Sequence, residues 1–142
     1  MAEISTFESR TGTLVCNPDQ AFDFLTDIRN FRRFIPANSI SNLDLEADSC
    51  SFRIDMLGNV KIFISGQMRP SKIVYSGVVP QVKNISLSVD IRENPAGKSY
   101  VQLLIMAEMN PFLKMMVTEP IKKGLEKIIE EMEKFRDWQP AT

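Results

Sequence analysis

The sequence contains no histidine among its 142 residues. Histidine is the commonest general base near neutral pH and a common metal ligand, and it activates the nucleophile of Ser-His and Cys-His enzymes. Its absence excludes all of these arrangements at once. We therefore expect no catalytic residues, no metal site and no bound cofactor, and we favour a protein that is not an enzyme.

Cysteine is scarce, since Cys16 and Cys50 are the only two. They are far apart in the sequence and neither belongs to a CxxC motif, so the spacing suggests neither a disulfide framework nor a thiolate zinc site. Free cysteines are usually buried and pack as small hydrophobic residues. We expect both thiols to be reduced and buried.

Long apolar runs are also missing. No stretch approaches the roughly 20 apolar residues that a membrane-spanning helix needs, so we predict no integral membrane span. The first ten residues, MAEISTFESR, contain no basic segment followed by an apolar run, and no secretory signal is visible. A cytoplasmic location follows by default.

The chain lacks an excess of either charge, with a formal net charge of −1. Without a basic excess it has no electrostatic attraction for nucleic acid, which we do not expect as a partner. The hydrophobic fraction of 44% is that of an ordinary globular protein. The length fits one domain, residues 1–142, of which residues 137–142 are expected to fray. Nothing in the sequence indicates the oligomeric state.

Two short helices are predicted near the N-terminus. Asn17 is a good helix N-cap, Pro18 fits the first helical position, and Gln20 stands where a capping box needs Glu or Gln. A second helical segment, residues 30–35, is stopped by Pro36. Both follow a predicted strand that opens the chain.

The apolar residues then repeat with a period of two between residues 39 and 109, which is typical of strands. The clearest case places four apolar residues on one face of a strand: Ile85, Leu87, Val89 and Ile91. Together with the opening strand, residues 4–15, we predict about seven short strands joined by tight turns. Consecutive strands of this kind favour an antiparallel meander over βαβ units.

The C-terminal segment returns to the helical period. Asn110-Pro111 repeats the cap-and-proline start, and an apolar stripe follows at steps of three and four: Ile121, Leu125, Ile128, Met132 and Phe135. The opposite face carries Lys and Glu and is predicted to be solvated. Pro120 is expected to kink this helix or to divide it after Thr118, because proline lacks the N–H that a helix interior uses.

Only this last helix is long enough to cover the hydrophobic face of the predicted sheet. The fold class is therefore α+β: a curved antiparallel sheet of about seven strands, two short helices after the first strand, and a long C-terminal helix across the concave face. We expect an apolar cavity between the sheet and that helix.

The chain resembles the START-like superfamily, also described as the birch-pollen-allergen-like or polyketide cyclase/dehydrase and lipid-transport group. The resemblance covers residues 3–136 and is carried by NPDQAFDFL at residues 17–25, DIRNF at residues 27–31, Ile35-Pro36 and the final amphipathic helix. Within the superfamily, residues 31–40 and 113–135 are similar to the carbon monoxide dehydrogenase-associated and coenzyme-Q-binding branches.

This resemblance implies a helix-grip fold with a pocket between sheet and helix. It also implies a hydrophobic small molecule as the partner, because members of the superfamily bind lipids, quinones, polyketides or plant hormones. The histidines and lysines that some enzymatic members use have no matching residues in this sequence.

Methionine is the most informative candidate for the pocket, because its flexible thioether adapts to apolar guests, although it can equally fill gaps in a solid core. The residues predicted to line the pocket are Phe52, Ile54, Met56, Met68, Tyr75, Met106, Phe112, Met115, Met116 and Pro120. The polar residues predicted to orient a ligand are Arg53, Arg69, Arg92 and Glu108. Each of these four could instead be an ordinary surface residue.

Three functions remain open from the sequence. The first is the non-catalytic binding or transport of a lipid, quinone or polyketide-like molecule in the cavity. The second is an accessory or assembly protein that acts through its surface. The third is a cyclase or dehydratase-like enzyme in which Tyr75 or Glu108 moves protons.

Overall fold

A computed structural model describes residues 3–35, 40–46, 48–54 and 58–138 of the chain. Its strands are β1 (Glu3–Glu8), β2 (Gly12–Leu14), β3 (Ile40–Leu45), β4 (Ser49–Ile54), β5 (Gly58–Met68), β6 (Lys72–Val78), β7 (Lys83–Glu93) and β8 (Ser99–Met109). Its helices are α1 (Pro18–Leu25), α2 (Ile28–Phe31), a short 3-10 helix (Arg32–Phe34) and α3 (Pro111–Lys134). The predictions made for Pro36 and Met56 lie outside the described residues.

The strands form one antiparallel sheet in the order β1-β8-β7-β6-β5-β4-β3, and β2 also pairs with β8. From β3 to β8 each strand pairs with the next one in sequence, as predicted for a meander. The helices α1 and α2 lie in the long connection that takes the chain from β2 to the far edge at β3. The α+β helix-grip architecture predicted from the sequence is therefore confirmed.

The opening strand is two strands rather than one. The chain leaves the regular ladder at Ser9, whose backbone N–H donates to Leu103 O and whose Oγ accepts from Leu103 N at 2.8 Å. It resumes at Gly12, where an added Cβ would lie 2.8 Å from the Ile129 side chain of α3. Glycine at this position lets β2 approach the helix closely, and the sheet has eight strands instead of about seven.

Both predicted N-caps are confirmed. Asn17 Oδ1 accepts from Gln20 N at 2.9 Å, and Gln20 Oε1 accepts from Asn17 N at 3.1 Å, which completes a capping box. Asn110 Oδ1 accepts from Leu113 N at 2.7 Å at the start of α3. The second short helix begins at Ile28, earlier than predicted, because the Asp27 carboxylate accepts from Arg29 N.

The helix α3 runs unbroken through Pro120 to Lys134, so of the two effects predicted for Pro120, a kink or a division after Thr118, the division is wrong. Proline removes a single backbone donor, and buried residues anchor the helix on both sides of it. Those residues are Leu113, Val117, Leu125, Ile128, Ile129 and Met132.

The C-terminal tail docks instead of fraying at Asp137, which corrects the prediction for its first residues. Trp138 is 2% exposed and packs against the rings of Phe24, Phe34 and Phe135, with centroids 5.2 to 5.5 Å away. Its indole N–H donates to Phe135 O at 3.1 Å, so the buried ring leaves no unsatisfied donor. Residues 139–142 lie outside the described part of the chain.

Both cysteines are free and buried, as predicted. Burial raises the pKa of the Cys16 thiol to about 11, and it also raises the pKa of Cys50. Neither thiol is therefore a reactive thiolate at neutral pH. Among the helices of the described segments, none combines the length and apolar character that a membrane crossing requires.

Candidate functional site: an apolar cavity under the C-terminal helix

A cavity of about 200 Å³ lies between the inner face of the sheet and the helices. Phe52 of β4 and Val60 and Ile62 of β5 contribute to its lining, Phe31 closes it from α2, and Ile128 covers it from α3. The strand residues face inward because they follow the period-two alternation of β4 and β5. The alternating pattern that identifies the strands therefore also produces an apolar wall.

The floor of the cavity combines one glycine with large aliphatic residues. Gly77 of β6 presents only backbone to the interior, and a Cβ added there would lie 3.0 Å from the Ile85 side chain. Leu87 of β7 and Ile105 of β8, which are paired across the two strands, form the next part of the floor. Glycine at position 77 therefore leaves room for the Ile85 side chain, and the floor stays apolar.

Tyr75 lies in the wall of the cavity with its hydroxyl turned away from it. The hydroxyl donates to the backbone oxygen of Leu25, at the C-terminal end of α1. The ring stacks on Phe31, with the centroids 4.5 Å apart and an interplanar angle of 25°. Burial raises the pKa of Tyr75, so the phenol stays neutral.

This hydroxyl completes the C-terminus of α1. The last carbonyls of a helix have no partner within the helix. Asn30 Nδ2 donates to Phe24 O at 3.0 Å, and Tyr75 serves Leu25 O in the same way. Tyr75 therefore ties the short helices to the sheet and presents only its ring to the cavity.

None of the four predicted polar residues lies in the cavity lining, which corrects the sequence-based expectation. Arg53 and Arg92 are exposed, and Arg92 lies over the Tyr100 ring at 5.7 Å. Glu108 accepts from Asn84 Nδ2 at 2.9 Å. Arg53 and Glu108 occupy the outward positions of the alternation, between inward-facing neighbours, and so they point away from the cavity.

Arg69 has a structural partner instead of a ligand. Its guanidinium donates to the Asp23 carboxylate, lies 3.4 Å from the Asp19 carboxylate and covers the Phe22 ring. This pairing lowers the pKa of Asp23. Arg69 therefore ties the end of β5 to α1.

The structure places some of the predicted apolar residues in the cavity lining and others outside it. Phe52, Ile54 and Tyr75 line the cavity. The remaining described candidates lie outside its lining, on the surface: Met68, Met106, Phe112, Met115, Met116 and Pro120. The sequence-based expectation is thus corrected for these six.

The physical reasons differ between strand and helix. Met106 alternates with the lining residue Ile105 and therefore faces outward. Phe112, Met115 and Met116 occupy the side of α3 opposite Leu113 and Val117, which are the buried residues of the first turns.

Several lining residues were missed. Leu87 and Ile85 lie in the cleanest alternation of the sequence, and Ile128 belongs to the predicted stripe of α3, so each carried a usable signal. Aliphatic residues of this kind are common in any core, so their presence alone does not distinguish a cavity lining from solid packing. Within the described ranges, no three Cys, Asp or Glu side chains come together in a group that could hold a metal ion.

No protein-family model matches the chain, and no curated protein matches it significantly. Solved structures do match. The Mll3558 protein from Rhizobium loti is 13% identical, with 94% of this chain and 98% of that chain covered and a TM-score of 0.69. Norcoclaurine synthase from Thalictrum flavum is 7% identical, with 94% and 86% covered and a TM-score of 0.72.

The Zhui aromatase/cyclase from Streptomyces sp. R1128 is 15% identical, with 93% of this chain and 95% of that chain covered and a TM-score of 0.64. At such identities the likeness concerns the fold. The order of strands, the position of the short helices and the long terminal helix all agree with that likeness. The chain therefore shares the helix-grip fold of these solved structures.

Proposed function

We propose that the chain binds a compact, uncharged, apolar small molecule in the cavity under α3 and does not transform it. The observation that carries the proposal is the lining itself, in which aliphatic and aromatic side chains surround about 200 Å³ and Ser86 is the polar exception. Ligand pockets are mostly apolar and usually preformed. A charged guest would lose its hydration here without gaining a partner.

The volume sets the size of the guest. A dry cavity of about 150 Å³ holds benzene, whereas drug-sized ligands occupy roughly 300 Å³ or more. A guest slightly larger than benzene, such as one substituted ring or a quinone head, fits the space. A whole lipid or polyketide chain does not, so a larger ligand would insert only one part.

The geometry favours binding over proton transfer. The two residues considered for acid–base chemistry were Tyr75 and Glu108. The Tyr75 hydroxyl is engaged with Leu25 O, and Glu108 pairs with Asn84 outside the cavity. A general acid or base must lie within hydrogen-bond reach of the substrate, and neither group does so in this arrangement. Norcoclaurine synthase and the aromatase/cyclase share the fold, and their activities support only the view that it accommodates organic guests.

The test uses naphthalene and 1,4-naphthoquinone as probes, with binding followed by saturation-transfer NMR and by native mass spectrometry. Ile62→Phe places a ring in the cavity and should weaken probe binding at least about tenfold, because an overfilled site cannot also hold the guest. Ile64→Phe is the matched control, since Ile64 lies two residues further along β5, on the same face, and is outside the lining.

Binding that survives Ile62→Phe, or that is lost equally in Ile64→Phe, would place the probe elsewhere. A wild-type protein that retains neither probe would refute the proposal. A mixed lipid and quinone extract, analysed by native mass spectrometry, then identifies natural guests by the mass retained.

A further inference from the structure

The first two turns of α3 expose large apolar side chains to solvent. Phe112 is 70% exposed, Met115 77% and Met116 44%. Single exposed apolar residues are common on protein surfaces, but adjacent large ones form a patch that usually marks an interaction site. We call these three residues the apolar tip.

The tip is a consequence of helical spacing. Positions 112, 115 and 116 are separated by three and four residues and therefore share one side of the helix. Leu113 and Val117 take the buried side, which leaves the tip facing outward. The tip is an exposed helix surface, so it is convex and offers no pocket for a partner's side chain.

Two more exposed apolar residues lie at the same end of the sheet. Ile4 of β1 pairs with Glu108, just before α3 begins, and is 63% exposed. Val78 ends β6 and is 62% exposed. Both residues belong to the outer face of the sheet, so they lie near the same end but are not part of the tip.

Positive charge accompanies the tip although the whole chain is slightly acidic. Residues 111–124 contain three lysines, Lys114, Lys122 and Lys123, and one glutamate, Glu119, which gives a local charge of +2 against −1 for the chain. The ion pairs recorded for lysines of α3 lie further along, at Lys127–Glu130 and Lys134–Glu131. Lys83, which begins β7, is also exposed at this end.

We propose that the apolar tip docks on the surface of a lipid bilayer that contains anionic lipids. Apolar side chains enter the boundary between headgroups and acyl chains, while the flanking lysines meet the lipid phosphates. A convex apolar surface with lysines around it fits a fluid bilayer better than a shaped protein partner. Docking does not rest on the cavity being occupied.

The test is cosedimentation of the full chain with vesicles. One set contains phosphatidylcholine alone and the other equal parts of phosphatidylcholine and phosphatidylglycerol. We expect binding to the mixed vesicles and much weaker binding to phosphatidylcholine. The double variant Phe112→Ser/Met115→Ser should bind the mixed vesicles at least about tenfold more weakly, because most of the inserted apolar area is lost.

The structure supplies a matched control for each interaction. Met68 is 65% exposed but ends β5 at the opposite end of the sheet, so Met68→Ser should bind like the wild type. Lys123→Gln should weaken binding by about fivefold, because Lys123 lies seven residues after Met116 on the same side of the helix and one lysine near an anionic surface has this effect. Lys98→Gln, in the turn between β7 and β8, should have no effect, because it also lies at the far end.

Three outcomes would overturn the proposal: no binding to either vesicle set, equal loss in the tip variant and Met68→Ser, or a wild-type dimer that the tip variant dissociates in sedimentation velocity. The last would assign the tip to a second copy of the chain. The tip residues are exposed, so the variant should keep its fold, and Met115→Ser alone replaces it if circular dichroism shows otherwise.

Discussion

Tyr75→Phe removes a hydroxyl that is turned away from the cavity, so it should destabilise the protein without enlarging the cavity. The wild-type hydroxyl donates to Leu25 O, and the ring stacks on Phe31. The phenylalanine ring keeps the stacking, so the loss is confined to the hydrogen bond. A buried acceptor left without its donor costs about 1 to 3 kcal/mol, and we expect the free energy of unfolding to fall by that amount.

Urea denaturation measures this change, with the fluorescence of the single tryptophan as the probe. Trp138 is suitable because it is buried among aromatic rings and becomes exposed on unfolding. The m-value should stay the same, since the variant exposes the same surface when it unfolds. Tyr100→Phe is the control: Tyr100 is the other tyrosine, it is partly exposed, and its substitution should change stability by less than about 0.5 kcal/mol.

The pH dependence of the free energy of unfolding gives an independent check on the burial of Tyr75. Burial raises the pKa of Tyr75 above its ordinary value of 10.0, so the folded protein holds this proton more tightly than the unfolded chain does. The contribution to stability is complete below pH 10 and is lost as the pH rises further. Tyr75→Phe should remove this alkaline loss.

Equal stability of Tyr75→Phe and the wild type would refute the claim that this hydroxyl completes α1. The same variant should still bind naphthalene, because the hydroxyl faces away from the cavity. A loss of probe binding with the fold intact would show that the hydroxyl meets the guest.

Three further predictions concern α3. Gly124→Ala should raise the free energy of unfolding by about 0.5 to 1 kcal/mol in a urea titration, because a Cβ there meets nothing within 4 Å and glycine disfavours a helix. Gly12→Ala should lower it by about 1 to 3 kcal/mol in the same assay, because its Cβ would collide with Ile129. The Arg10 guanidinium lowers the pKa of Glu133 below 4.5, so the stability that Glu133 confers is present above that pH and lost as the pH falls. In Glu133→Gln the free energy of unfolding should therefore fall less steeply with decreasing pH than in the wild type. Equal pH dependence of the two proteins would contradict this.

The parts of the fold that the sequence predicted best depend on local chemistry. Asn17-Pro18 and Asn110-Pro111 start helices because a side-chain oxygen and a fixed backbone angle act within one turn. The period-two alternation likewise needs no distant partner. Such features can be read from a short window of sequence.

The methionines were misplaced because the local pattern admits two answers. The start of α3 carries one apolar side at Phe112 and Met115 and another at Leu113 and Val117, and the helical period is compatible with either side facing the sheet. In β8 the consecutive residues 103–106 are all apolar, so alternation does not say which face Met106 takes. Tertiary packing decides which side of α3 and which face of β8 becomes buried.

The docked C-terminal tail could not be predicted from the sequence for a different reason. Trp138 follows the end of the helical period and stands alone among polar residues, so no pattern predicts its burial. Its site combines Phe24 of α1, Phe34 of the 3-10 helix and Phe135, which come together only in the folded chain. Long-range contacts of this kind are absent from any sequence window.

The two halves of α3 are held unequally. The C-terminal half is fixed to the N-terminal strands: Arg10 bridges Glu126 at 2.8 Å and Glu133 at 2.7 Å. The half before Pro120 buries only Leu113 and Val117.

Elements with few buried apolar contacts open most easily. The weakly held half carries the apolar tip and lies at the end of the sheet where Val79, which follows β6, and Ile85 of β7 line the cavity. Ile128, which covers the cavity from α3, belongs to the firmly held half, so opening of the first two turns would leave this part of the cover in place.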